Sequence, residues 1–76
     1  MVTAVILINT DIGAQAKVLQ SLKQVDGVEN AYALSSVYDL VLKIKAGSTD
    51  KLKEIVTSSI RKLSGVSNIM TLVLVE

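Results

Sequence analysis

The chain has 76 residues, half of them apolar, and a mean hydropathy of +0.51, enough for one domain with one core (residues 1 to 76) and for no second module. Eight basic residues against seven acidic ones leave a net charge of +1, no electrostatic footprint for direct nucleic-acid binding, and the absence of cysteine and histidine removes disulfides, thiolate chemistry and the commonest metal ligand and proton shuttle. The longest apolar run, "AVILI" at residues 4 to 8, is far shorter than the ~20 residues of a membrane span, and "MVTAVILINT" has neither a basic n-region nor a cleavage site, so a cytoplasmic protein without membrane contact is expected.

Residues 2 to 8 are rich in Val and Ile and run into the turn cluster "NTDIG", which reads as a strand. Val18, Leu22 and Val25, with Leu19 beside them, fall at helical spacing within residues 14 to 25. Gly27 is placed to end that helix in a left-handed conformation, with Val28 folding back as its apolar contact. Residues 28 to 34 read as a second strand, and the short "SSVY" connection implies a hairpin into a third at residues 39 to 45. "AGSTD" then offers Ser48 or Thr49 as N-cap, with Asp50 in the first turn facing exposed amides. Leu52, Ile55, Val56, Ile60 and Leu63 mark one face of a second helix, and Lys51, Lys53, Glu54, Arg61 and Lys62 mark the other. Gly65 ends that helix, and residues 66 to 75 read as the last strand.

The two halves share a design. "LKQVDGVENAYAL", residues 22 to 34, aligns with "IRKLSGVSNIMTL", residues 60 to 72, at an offset of 38, pairing Gly27 with Gly65, Val28 with Val66, Asn30 with Asn68 and Leu34 with Leu72. The order β-α-β-β-α-β is the ferredoxin-like, α+β split motif. Right-handed crossovers put both helices on one face of a four-stranded antiparallel sheet, with the first and third strands central.

The other face of that sheet is then bare. A half-wet sheet should alternate apolar and polar residues, yet "AVILI" and "IMTLVLV" are apolar at both parities. Leaving Val, Ile or Leu in water forgoes roughly 1.5 to 3 kcal/mol each, and contiguous apolar surface marks an interface. A homodimer packed sheet on sheet is expected. The plainer alternative is that these strands are simply hydrophobic and a loop covers them.

Tyr38 and Asp39 stand at the hairpin between the second and third strands, at one end of the sheet. A carboxylate there can accept from an ammonium group, loop amides can hold a carboxylate, and a Tyr ring can wall an apolar side chain, which together suit a free amino acid. The plainer role for Asp39 is to accept turn amides while Tyr38 packs at the hairpin end.

"AYALSSVYDLVLKIKA", followed at helix spacing by "IRKLSGVSNIMTLVLV", resembles the effector-binding RAM domain of the Lrp/AsnC family of feast/famine regulators. That family's pattern is a hairpin of the form T-G-x-Y-D-apolar, a helix, then G-V-x-x-T-x-T and an apolar strand. The resemblance covers essentially the whole chain. It implies dimers joined through the sheet faces, assembly into octameric or decameric rings, and an amino acid site between dimers near the hairpin loop. Carried over, the site residues are Ser36, Tyr38, Asp39 and Thr71. Ser36 stands where the family has glycine, and Ile69 where it has the first of two threonines. Family members usually carry an N-terminal helix-turn-helix, whereas here the first strand follows the methionine directly. A stand-alone RAM protein without a DNA-binding domain is the resulting expectation.

Other tenants of the fold fit less well. An ACT-like amino-acid-binding domain is the nearest rival, because "TDIGAQAKVL" is similar to its first loop; it would bind at Asp11 to Ala14 and join sheets edge to edge. An RNA-recognition domain needs aromatics on its central strands, and "VTAVILI" and "DLVLKIK" have none. A metal chaperone needs cysteines in the first loop, an acylphosphatase-like enzyme needs an arginine there, and "NTDIGAQ" supplies neither. The scattered acidic residues form no recognisable general acid/base dyad, so no enzyme and no cofactor is expected. The expectation is a non-catalytic sensing and oligomerisation module whose partners are a free amino acid, further copies of itself and a full-length Lrp/AsnC regulator. A plain assembly module that binds no effector is the alternative.

Overall fold

A computed structural model describes residues 2 to 74. The elements are β1 (Val2–Thr10), α1 (Gln15–Leu22), β2 (Val28–Ala33), β3 (Leu40–Ala46), α2 (Thr49–Ile55) continued by a π-helical turn (Val56–Ile60), and β4 (Val66–Leu74). All strand pairs are antiparallel in the order β2-β3-β1-β4. The first and third strands are central, as the ferredoxin-like reading requires.

Side-chain alternation fixes which face carries the helices. Along β3, Leu40, Leu42, Ile44 and Ala46 are buried while Lys43 and Lys45 are exposed. On β1, Ala4, Ile6 and Ile8 are fully buried. These residues meet Val18 and Leu22 of α1 and Leu52, Val56 and Ile60 of the second helix in one cluster. Each of the larger side chains contributes on the order of 1.5 to 3 kcal/mol by leaving water.

The internal repeat is visible in the backbone bonding. Val25 N donates to Leu22 O and Val28 N to Val25 O, and 38 residues later Leu63 N donates to Ile60 O and Val66 N to Leu63 O. Gly27 and Gly65 both take left-handed φ, +94° and +97°. Each ties its half to the other: Gly27 O accepts from Lys45 N at the end of β3, and Gly65 O accepts from Asp11 N just past the end of β1.

Several boundaries differ from expectation, and β1 runs on to Thr10 and β3 to Ala46. The first helix stops at Leu22, not residue 25, because Gln24 N and Val25 N turn to carbonyls three residues back, so Gly27 lies in the turn before β2 instead of capping the helix, and Gly65 likewise lies in the turn after the second helix ends at Ile60. The hairpin connection spans residues 34 to 39, longer than "SSVY", since Leu34 N and Asp39 O bond across its neck at 2.7 Å. The second helix leaves α geometry at Val56, where Arg61 N reaches the carbonyl of Val56. Ser48 is the N-cap, its hydroxyl accepting from Lys51 N. Residue 75, assigned to the last strand from sequence, lies outside the described residues.

The helix-free face is open in the single chain. The pairing aligns Tyr32, Val41, Leu7 and Met70 across all four strands, with Val5 and Leu72 adjacent on the next row. Tyr32, Met70 and Leu72 are 59%, 45% and 47% exposed, which is the two-parity apolar pattern of the sequence made into a surface.

Candidate functional site

The hairpin loop is held by its neighbours. β1 lies next to β3, so the end of β1 meets the start of β3, and Asp39 Oδ2 accepts from Thr10 N at 2.7 Å and from the Thr10 hydroxyl at 3.3 Å. Asp39 N donates to Ile8 O. Gln15, in the first turn of α1, donates through Nε2 to Asp39 O at 2.8 Å and to Leu34 O at 3.3 Å. The loop is thereby fastened to β1 and α1 together, and one carboxylate oxygen of Asp39 serves that purpose.

Tyr38 points elsewhere. Its hydroxyl donates to Met70 Sδ at 3.5 Å, and Met70 belongs to the open face, so the phenol lies over that face at the β4 side. Beneath the same end, Asn9 Oδ1 is buried without a hydrogen-bond partner among the described residues. Ser36 is exposed at the loop tip, with an ordinary negative φ, since the only left-handed residues among those described are Gly13, Gly27 and Gly65.

Thr71 faces the opposite way. It follows Met70 along β4 and so points to the helix side, opposite Ile6 of the core. There it lines a cleft of about 340 Å³ with Leu52, Val56, Val73, Lys53 and Arg61. Of the four residues carried over from the family pattern, the single chain therefore gathers Ser36, Tyr38 and Asp39 in one loop and sets Thr71 on the other face.

Thr10 and Gln15 hold the loop and carried no sequence signal of their own, because their contacts depend on which strands are neighbours. Arg61, read from sequence as part of a solvated face, is exposed and also lines the cleft. The loop favoured by the rival reading, Asp11 to Ala14, presents Ile12 fully to solvent, and Gly13 there has open space around it. Among the described residues no group of three or more acidic side chains could hold a metal ion, and no helix is long and apolar enough to cross a membrane.

An HTH-type transcriptional regulator of Pyrococcus horikoshii, PH1916, is 30% identical over 74 residues, covering 93% of this chain and 49% of that protein. The chain thus spans about half the length of the curated relatives it matches. The crystal structure of FFRP-DM1 superposes with a TM-score of 0.94 at 31% identity, covering 99% of this chain and all of that one. At 16% identity the fold alone is comparable in the Neisseria meningitidis transcriptional regulator NMB0573, solved as a complex with L-Met, with a TM-score of 0.85 over 99% of this chain and 50% of that one. Residues 3–76 match the Lrp/AsnC ligand binding domain, and the chain belongs to that family.

Proposed function

We propose that this domain binds a free amino acid at a seam between copies of itself, where Ser36, Tyr38 and Asp39 of one chain meet Thr71 of another. The observation that carries this reading is the opposed placement of Tyr38 and Thr71. With the Tyr38 hydroxyl on Met70 and the Thr71 side chain on the far face of the same strand, no single chain can close both around one small ligand. The second oxygen of the Asp39 carboxylate can take an ammonium group while Oδ2 stays on Thr10. The L-Met complex of the Neisseria meningitidis regulator supports an amino acid as the ligand class.

The open sheet face supplies the first contact, a homodimer of stacked sheets, and dimers assemble further into an octamer or decamer. Ligand binding at the seam then shifts the balance among assemblies through its differential affinity for them. The regulatory output passes through a mixed assembly with a full-length Lrp/AsnC regulator. Calorimetric titration with the proteinogenic amino acids, run beside sedimentation velocity, tests this. Binding of at least one, accompanied by a change in assembly, is expected; assembly that ignores every amino acid would leave only a plain assembly module. That second reading draws on one observation, the engagement of Asp39 Oδ2 by Thr10.

A further inference from the structure

The turn between α1 and β2 carries the one Asp-Gly step in the sequence. The four glycines follow Ile12, Asp26, Ala46 and Ser64, so among the acidic residues Asp26 alone has a glycine after it. Both Asp26 and Gly27 are exposed, and they lie between the last residue of α1 and the first of β2. Val28 N donates to Val25 O at 3.2 Å across the turn, and Gly27 O accepts from Lys45 N at 3.0 Å. Those bonds hold the two ends of the turn and the Gly27 carbonyl.

The fold requires glycine at position 27 and thereby keeps this step reactive. Its φ of +94° suits glycine, and a Cβ there would sit 3.1 Å from Ile55 Cδ1 and 3.3 Å from Lys45 O. A residue without a side chain leaves its nitrogen unhindered for attack on a neighbouring carboxyl carbon, whereas the side chains that follow the other aspartates, Ile12, Leu40 and Lys51, crowd that approach. Asp39 is restrained further, with Oδ2 on Thr10 N at 2.7 Å. The second half of the molecule is an internal contrast. Gly65 repeats the geometry of Gly27, with φ +97° and its carbonyl on Asp11 N, but Ser64 precedes it, and a serine hydroxyl offers no carboxyl carbon.

We propose that Asp26 is a site of spontaneous isoaspartate formation in the folded chain. The Gly27 nitrogen attacks Cγ of Asp26 and gives up its proton, and the carboxyl loses one oxygen as water, closing a succinimide ring. Water then reopens the ring. Opening at the side-chain carbonyl restores aspartate, and opening at the main-chain carbonyl leaves isoaspartate, so the atoms balance with no oxidant, reductant or further reactant. In the product the chain runs through Cβ and Cγ, one methylene longer, and the former main-chain carbonyl is a carboxylate. That extra length falls directly before Gly27, so it loosens the bond from Lys45 N to Gly27 O and lowers the cost of opening the end of β2, beside the register shift after Val28. The modification lies at the opposite end of the β2-β3 pair from Tyr38 and Asp39 and does not depend on the amino acid site proposed above.

The test holds the full chain at neutral pH in heavy-oxygen water, at a temperature where circular dichroism shows it folded, and then maps its peptides by mass spectrometry with electron-transfer fragmentation. Solvent oxygen is expected at Asp26, with fragments diagnostic of isoaspartate there and methyl transfer to the aged chain by an isoaspartyl methyltransferase supplied with S-adenosylmethionine. The rate should lie within about tenfold of that measured in urea. Asp26→Glu keeps the charge at an exposed position but would have to close a larger ring, and it should stay unlabelled there. In the aged wild type the Lys45 amide should exchange with solvent faster than in the fresh chain. No label at Asp26 in the folded chain, label that appears only in urea, or equal labelling at Asp11, Asp39 and Asp50 would each overturn the proposal. An unchanged Lys45 amide in a sample shown to contain isoaspartate would refute the loosening of β2.

Discussion

Asp39 Oδ2 accepts the Thr10 amide at 2.7 Å, so the first residue before β3 closes the last residue of β1. A charge-assisted bond of this kind contributes about 1.5 to 3 kcal/mol, and removing the acceptor leaves a partly buried amide unpaired. Asp39→Ala should therefore lower the urea unfolding free energy by about 2 kcal/mol with no ligand present. Asp39→Asn keeps an acceptor oxygen and should lose less. Equal stability of Asp39→Ala and wild type would mean that the carboxylate is spare in the fold and free to act wholly on a ligand.

Gly65 and Gly13 both have positive φ, +97° and +82°, but a Cβ on Gly65 would sit 2.9 Å from Ala14 Cβ and 3.1 Å from Val18 Cγ2, while one on Gly13 meets nothing within 4 Å. Left-handed backbone costs an L-residue roughly 1 to 2 kcal/mol, and overpacking adds about 1 to 3. Gly65→Ala should melt well below Gly13→Ala in a thermal denaturation series. Comparable melting of the two would show that helix α1 yields at Ala14 and that the close approach of the two halves is soft.

Leu72 and Met70 are about half exposed on the open face, next to half-buried Leu7 and Val5. If sheets stack there, Leu72→Lys places an unpaired cation in an apolar seam twice per dimer. Forfeiting roughly 1.5 kcal/mol per copy weakens the dimer about a hundredfold. Sedimentation equilibrium should show the variant as single chains with unchanged circular dichroism at concentrations where the wild type is associated. A wild type that already sediments as an 8.1 kDa species throughout the micromolar range would refute the stacked dimer.

The strand order, the helix faces and the equivalence of Gly27 and Gly65 in the repeat were legible because each is written locally, in alternation, helical spacing and a repeat of glycines, although neither glycine ends its helix as expected. The ends of the helices were not. Val25 continues the apolar spacing of α1, yet its amide bonds to Leu22 O in a turn, so packing against the sheet overrides periodicity. The π turn at Val56–Ile60 likewise has no proline or glycine to announce it. At the candidate site, Tyr38 and Asp39 stood out by type, but the roles of Thr10 and Gln15 exist only once β1 and β3 are neighbours. The separation of Tyr38 from Thr71 follows from a parity that depends on the register of β4.

Ser36 stands where the family pattern has glycine, and the loop achieves its shape without left-handed φ there. Serine is thus not strained, and Ser36→Gly should reduce stability by roughly 0.5 to 1 kcal/mol through greater freedom of the unfolded chain. The same change removes a side chain from the loop tip and lets backbone approach a ligand more closely. An amino acid that binds at the seam should then bind Ser36→Gly more tightly even though the variant unfolds at lower temperature. Opposite signs for affinity and stability identify loop access as the cause. Unchanged affinity in calorimetry, with the stability loss present, would remove Ser36 from the effector set while leaving Tyr38, Asp39 and Thr71 in it.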